Sequence, residues 1–317
     1  MKIDQISSLS QRAAGLLGKM LELSPLLQYA EFRKDYSTGI NVPDKSTFTN
    51  SAARAVNASL QKDNQTPNPT LVSLALYGRE IGVDDLYKKD AELSGSPLGL
   101  LRWLDRQLGA LAVKLANEIQ IDMIQGTNAS NRMLGLGTFV KDAAAAGQTA
   151  ALGFTTAEQA AMNTQVSLQL NTTANQETFV ETLFKQLATV PGANAIICNT
   201  NLAARLTTIA KKMGAAGESV NSFGVPATTF NNVPIVAVDT NTITQTESDG
   251  TNNDCTSLYI VRFAEELGVC FATNSGFYFQ DFQDYQNSPQ GVSRLQFFLN
   301  LVVERTDAMR RLSRIRL

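Results

Sequence analysis

PLGLLRWLDRQLGALAVKLANEIQIDMIQ, residues 97–125, is the stretch on which the fold turns. Ser96 stands where a side-chain oxygen can cap the first free amides, Pro97 suits the first helical position, and Gly126 offers a left-handed stop just past Gln125. Both ends of a helix are therefore written locally. Leu101, Leu104, Leu108, Leu111, Leu115 and Ile119 recur every three or four residues, which gathers them on one stripe. Arg102, Asp105, Arg106, Asn117 and Glu118 fall mostly off it. At ~1.5 Å per residue the helix is about 40 Å long, the width of a domain.

Around this strut, 317 residues with 44% apolar and 18% charged side chains suffice for a large core in one elaborated domain or two smaller ones. The net charge of −2 gives no global drive toward nucleic acid or acidic membranes. No apolar run approaches the ~20 residues that cross a bilayer, and the first residues, MKIDQISSLSQRAAG, lack the apolar centre of a signal peptide, so the expected compartment is the cytoplasm and no membrane partner is expected. Histidine is absent, which removes Ser–His–Asp and Cys–His nucleophiles and histidine-ligated metals. Cys198, Cys255 and Cys270 are odd in number and widely spaced, and read as buried free thiols. No cofactor is implied.

Before the strut, residues 6–23 carry Leu9, Ala13, Leu16, Leu17 and Met20 at helical spacing and stop at Ser24-Pro25. This reads either as an arm that packs on something else or as a surface helix of the same domain. Residues 28–87 are polar and poor in large apolar side chains, with Pro67 and Pro69 bracketing Asn68 ahead of a strand-like run at 70–77. Sixty such residues are hard to bury, so they read as an extended two-stranded excursion or a surface insertion.

After the strut, residues 127–148 read as turns with short strands. Helices are expected at 177–190 and 202–213, with a buried strand at 195–198 between them, which implies helices packed on a sheet. Residues 214–230, with Gly217 and Gly224, read as a glycine-punctuated loop that follows a helix and precedes a strand, the wrong order for cradling a phosphate. Strands are expected at 233–238, 258–263, 269–272, 277–279 and 292–304, with 239–254 an exposed loop. Arg305, Arg310, Arg311, Arg314 and Arg316 crowd the last residues, suited either to partner carboxylates and phosphates or to a solvated chain end.

The order of these parts resembles the major capsid proteins of tailed double-stranded DNA phages, the Hong Kong 97-type shell fold, from about Gln28 to the end of the chain. Residues 69–90, PTLVSLALYGREIGVDDLYKKD, resemble the return strand of that family's extension loop. Residues 194–206, NAIICNTNLAARL, resemble the strand, asparagine turn and helix that open its axial domain, and residues 230–236, FNNVPIV, sit where a Gly-x-Pro-Val strand start is usual. LYIVRF at 258–263 and VERTDAMRRL at 303–312 resemble the closing strands. In this chain Asn232-Val233 replaces the glycine, and Arg310-Arg311 stands where many relatives have proline and alanine.

The resemblance implies an α+β fold with an N-terminal arm (1–27), an extension loop (28–90), a peripheral domain (91–190) around the spine helix, an axial domain (191–288) and a C-terminal strand (289–317) returning to the peripheral domain. It implies a non-enzymatic subunit of pentamers and hexamers in an icosahedral head, assembled in the host cytoplasm around double-stranded DNA held by weak contacts. A separate scaffolding protein, a portal and a cement protein are possible partners. Residues expected to serve assembly are Arg33, Lys34, Arg102, Arg106, Gly217, Gly224, Arg310 and Arg311. Some relatives crosslink a lysine to an asparagine; Lys34, Lys45 and Lys62 lie in the extended region, but no motif marks a donor, acceptor and catalytic acid. The alternatives are an encapsulin-like bacterial compartment, a hydrolase using Asp84 and Asp85 or Glu265 and Glu266 as acid–base pairs, and a secreted surface-layer or fibre protein.

Overall fold

Leu104, Leu108, Leu115 and Ile119 are all buried along one side of a single helix over Pro97–Gln125, so the leucine stripe does what its spacing predicts. Leu111 is half-buried at its margin. The computed structural model describes residues 11–34, 38–41, 69–84, 89, 97–142, 149–220, 224, 226–274, 276–284 and 290–317. Among these the chain begins with α1 (Gln11–Leu23) and α2 (Pro25–Tyr29), followed by β1 (Phe32–Lys34). The helix at Pro97–Gln125 is α3. Ser24-Pro25 breaks the first helix as expected, but the chain restarts at once as α2, with Pro25 at its first position.

The stripe of α3 meets α1 rather than lying mainly on a sheet. Leu16, Leu17, Met20 and Leu21 of α1 share one core with Leu108, Ala112, Leu115 and Ala116. Of the two readings of the N-terminal helix, the described part follows the second: it covers the strut of its own chain.

Two sheets frame α3. In the first, β13 (Gln290–Val303) is central, flanked on one side by β4 (Ala75–Asp84) and on the other by β12 (Phe277–Asp284) and β11 (Val269–Thr273), all antiparallel to it, and β1 adds parallel to β11. Leu295, Phe297, Leu299 and Leu301 alternate along β13 toward the α1–α3 core. Phe32 seals the far edge, its ring 6.0 Å from Phe271 and 5.9 Å from Phe297. The second sheet has seven strands in the order β5 (Asn163–Gln169), β14 (Met309–Arg316), β10 (Cys255–Val261), β6 (Ala195–Asn199), β9 (Val233–Val238), β8 (Pro226–Phe230), β7 (Ala216–Val220).

Both faces of the second sheet are covered at its centre, which is why every residue of β6 and β10 is buried. On one face Ile196, Cys198, Leu258, Ile260 and Leu312 pack against α6 (Thr173–Ala188) and α7 (Thr200–Lys212). The alternate residues Ile197, Val236, Tyr259 and Val261 point the other way and join the core of α3. Asn199 makes the turn between β6 and α7: its side chain accepts from Leu202 N at 2.8 Å to cap the helix, and its amide donates to Thr256 Oγ1 at 3.0 Å.

Several expectations are corrected. Of residues 127–148, the described ones, 127–142, hold an isolated bridge, Thr127 with Leu134, and the short helix α4 (Leu136–Phe139) rather than strands. The helix expected from 177 starts at Thr173, because Thr172 accepts from Asn175 N and caps it earlier. The short helix α5 (Thr156–Ala161), opened by a Thr155–Glu158 capping box, and strand β5 have no counterpart in the sequence reading. Residues 214–230 are mostly a hairpin, β7 paired with β8, not a loop. The 239–254 segment is not wholly exposed: Thr242 and Ile243 are buried under the end of α3. β11 and β12, within 191–288, belong to the first sheet, while β14, within 289–317, lies in the second. No helix among the described residues is long and apolar enough to cross a membrane.

Candidate functional site

The root of the extended excursion is a two-stranded ribbon, β2 (Thr38–Asn41) antiparallel to β3 (Thr70–Ser73), with Thr38 opposite Ser73 and Asn41 opposite Thr70. This agrees with a two-stranded excursion; residues 42–68, and with them Lys45 and Lys62, lie outside the described residues. Leu71 projects from the ribbon with 71% of its surface exposed.

A polar cluster holds this root to the body. The Asn300 amide, on β13, donates to Ser73 O at 2.6 Å, and its oxygen accepts from Leu134 N at 2.8 Å. Tyr77 donates to Asp122 Oδ2 at 2.6 Å and accepts from Met133 N at 3.1 Å. Burial, reinforced by the Asp122 carboxylate, drives the Tyr77 hydroxyl well above its ordinary pKa, so it remains a donor. The turn that follows α3 fits because Gly126 and Gly135 pack backbone to backbone: a Cβ on Gly126 would stand 2.2 Å from Met133 O, and one on Gly135 2.4 Å from Ile124 O.

Arg311 is buried, and the other arginines of the chain end are half-buried with partners in the same chain, which corrects the reading of a freely solvated end. Four of them lie on β14 and Arg305 just before it, and they bond within the same chain. Arg311, buried to 6% exposure, donates through Nε to Ser257 Oγ at 3.0 Å, through Nη1 to Val140 O at 2.7 Å and through Nη2 to Glu247 Oε1 at 2.5 Å. Its guanidinium also sits 5.6 Å from the Tyr259 ring centre. Arg314 pairs with Asp142 at 2.6 Å, Arg316 with Asp254 at 2.9 Å and Arg305 with Asp307 at 2.8 Å. Arg310 donates to Met309 O at 2.9 Å and to Thr306 O.

The other expected assembly residues scatter over the molecule. Arg33 pairs with Glu304 at 2.9 Å and ties β1 to the end of β13, while Lys34 beside it is exposed. Arg106 is exposed on the outer face of α3, next to half-exposed Trp103; the side chain of Arg102 lies outside the described residues. Gly217 lies within β7, where a Cβ would meet Thr229 Oγ1 at 2.7 Å, and Gly224 sits in the hairpin turn at φ +78° with open space around it. Val220, 68% exposed, ends β7 at the sheet's outer edge. Of the carboxylate pairs weighed for hydrolysis, Asp84 ends β4 and Asp85 lies outside the described residues.

The residues that tie the parts together, Asn300, Tyr77, Asp122 and Glu247, were not singled out in sequence. A signal existed for one of them: Asn300 is a lone amide inside the apolar run FFLNLVV.

In sequence the chain matches no family model and no curated protein. Its fold has clear counterparts among solved structures. The capsid of a native GTA particle superposes with a TM-score of 0.59 at 12% identity, over 97% of this chain and 91% of that one. The encapsulin of a holo complex from Synechococcus elongatus gives 0.54 at 13% identity, over 92% and 86%. A virus-like particle from Pyrococcus furiosus gives 0.52 at 9% identity, over 94% and 96%. These superpositions run over nearly the whole chain, and it has the α+β shell-subunit fold of Hong Kong 97 type.

Proposed function

We propose that the chain is the major subunit of an icosahedral phage head, closing as pentamers and hexamers around double-stranded DNA. The observation that carries this reading is the reciprocal, near-complete superposition on the capsid subunit of a GTA particle. In such a role the chain works by contact rather than by chemistry, as part of a virion assembled in the host cytoplasm. A polar excursion with little apolar surface recovers its ordering entropy when it lies across a neighbouring copy. The β7–β8 hairpin, exposed at the edge of the second sheet, suits contacts around a symmetry axis, and exposed Lys34 and Arg106 suit charged contacts between copies. A scaffolding protein, a portal and a cement protein belong to the same proposal.

Purified protein examined by negative-stain microscopy, alone and with a co-expressed scaffold, tests it. Closed particles or regular tubes are expected; a monomer under every assembly condition, with turnover of a substrate, overturns it.

A second reading, an encapsulin-like compartment enclosing an enzyme, is favoured by the superposition on the Synechococcus encapsulin. Nuclease-protected DNA inside native particles supports the head; a co-purifying enzyme inside them supports the compartment.

A further inference from the structure

We propose that Tyr77 and Asn300 are positioning residues for assembly: they fix the direction in which the β2–β3 ribbon leaves the body, and through it the curvature of the shell, without touching a neighbouring copy. The inference rests on the shell reading above. It begins from how little packing holds β3. Val72 is its one buried side chain, Thr70 is half-buried, and Leu71 and Ser73 are exposed. A groove of about 480 Å³ runs beside the strand, walled by residues 150–155, Asn128 and Leu134. A strand with a groove at its flank is not aimed by apolar contacts, so directional bonds must aim it.

Those bonds converge on two buried side chains. Asn300, 2% exposed, grips Ser73 O on the ribbon, and its amide reaches Asn128 Oδ1 at 3.4 Å while its oxygen holds Leu134 N. Tyr77 begins one residue pair further along β4 and joins the same turn, at Met133 N, to Asp122 of α3. The turn is itself under tension: Asn128, Ser130 and Asn131 all stand in the left-handed region, at φ 56°, 53° and 62°. Asp122 Oδ1, deeply buried, has no hydrogen-bond partner, so the cluster is not arranged for greatest stability. Ribbon, strut and central strand therefore meet at a polar junction that specifies an angle.

The test measures that angle and its consequence separately. Trp103 is the sequence's single tryptophan, and the three native cysteines are buried, so a dansyl acceptor on Leu71→Cys reports one distance from strut to ribbon by energy transfer. Tyr77→Phe and Asn300→Asp are expected to keep the circular dichroism of the parent, to widen the Trp103-to-71 distance distribution at least twofold, and to broaden particle diameters by a similar factor. Arg132→Ala, which alters an exposed side chain 3.3 Å from Asp122, is the milder variant should either of these fail to fold, and is expected to widen the distribution less. Leu108→Ala, which opens a cavity in the same core but away from the junction, is expected to leave it narrow. An unchanged distribution in all three junction variants, or widening in Leu108→Ala to the same degree, overturns the proposal. Unchanged particle diameters despite a widened distribution overturn its second half. Failure of the parent chain to form particles overturns the shell reading instead, while the distances still report on the junction.

Discussion

Arg311 Nη2 and Glu247 Oε1 lie 2.5 Å apart, one on the last strand of the described chain and the other on the loop before β10, and Arg311 Nη1 donates to Val140 O beside them. Glu247 is shared, since Ser257 Oγ donates to it as well, at 2.5 Å. Truncating one member of such a pair strands the other's charge, a loss of about 3–5 kcal/mol for a well-buried pair. Arg311→Met and Glu247→Gln are each expected to cost about 3 kcal/mol in urea unfolding of the isolated subunit. The double variant is expected to cost clearly less than the sum, since the second change removes the stranded partner. Strict additivity would show that the two side chains do not depend on one another.

The glycines separate into three kinds, and alanine substitution reads them apart. At Gly126 and Gly135 a new Cβ would meet rigid backbone, so Gly126→Ala and Gly135→Ala are expected to prevent folding or cost more than about 3 kcal/mol. At Gly214 the surroundings are open but φ is +69°, and a cost of about 1 kcal/mol is expected. At Gly15 and Gly18, exposed on α1 with nothing within 4 Å, alanine is expected to stabilise by about 0.5–1 kcal/mol each. Thermal melts of the five variants check the order; a tolerated alanine at Gly126 would mean that the turn after α3 is differently built.

What the sequence made legible follows from how local its causes are. The strut was readable to the residue, because Pro97, Gly126 and six apolar positions between them each act within a few residues of themselves. Buried strands β6 and β9 were readable for the same reason. The arginine tail was not. Five arginines in thirteen residues look like a solvated end until Asp142, Glu247 and Asp254, separated from them by 62 to 172 positions, supply the countercharges. Hairpin β7–β8 was missed because Gly217 and Gly224 looked alike in sequence, whereas one is set in a strand against Thr229 and only the other makes the turn. The junction at Tyr77 and Asn300 joins positions 45 and 166 residues from their partners, a distance no periodicity reports.

Acid should loosen the loop that carries Glu247. Asp249 accepts from Asn252 N at 2.7 Å, from the Asn252 amide at 3.0 Å and from Thr251 N at 2.8 Å, and these bonds lower its pKa to about 2. Because the folded value lies below the unfolded one, near 3.9, the contribution is fully present above pH ~4 and is lost as pH falls toward 2. The parent is therefore expected to lose stability across that window, and Asp249→Ala to be less stable than the parent at pH 7, with a shallower acid limb, so that the two converge as pH falls toward 2. Equal acid limbs in the two proteins would place the acid dependence elsewhere.

The strut divides into a face that folds the subunit and a face that does not. Leu108 is fully buried between α1 and α3, so Leu108→Ala is expected to cost about 2–5 kcal/mol, and Leu108→Asp to leave no folded protein, since an unpaired buried charge is dearer than a cavity. Leu111, half-buried at the margin of the stripe, is expected to tolerate alanine at roughly half the cost of Leu108→Ala. Arg106 is exposed on the opposite side, and Arg106→Glu is expected to change subunit stability by less than about 0.5 kcal/mol while lowering the yield of particles. Urea midpoints and particle counts on the same preparations decide between the faces. If Arg106→Glu unfolds the subunit as Leu108→Asp does, the outer face of the strut belongs to the core after all, and contacts between copies must be sought at the ribbon and the β7–β8 hairpin.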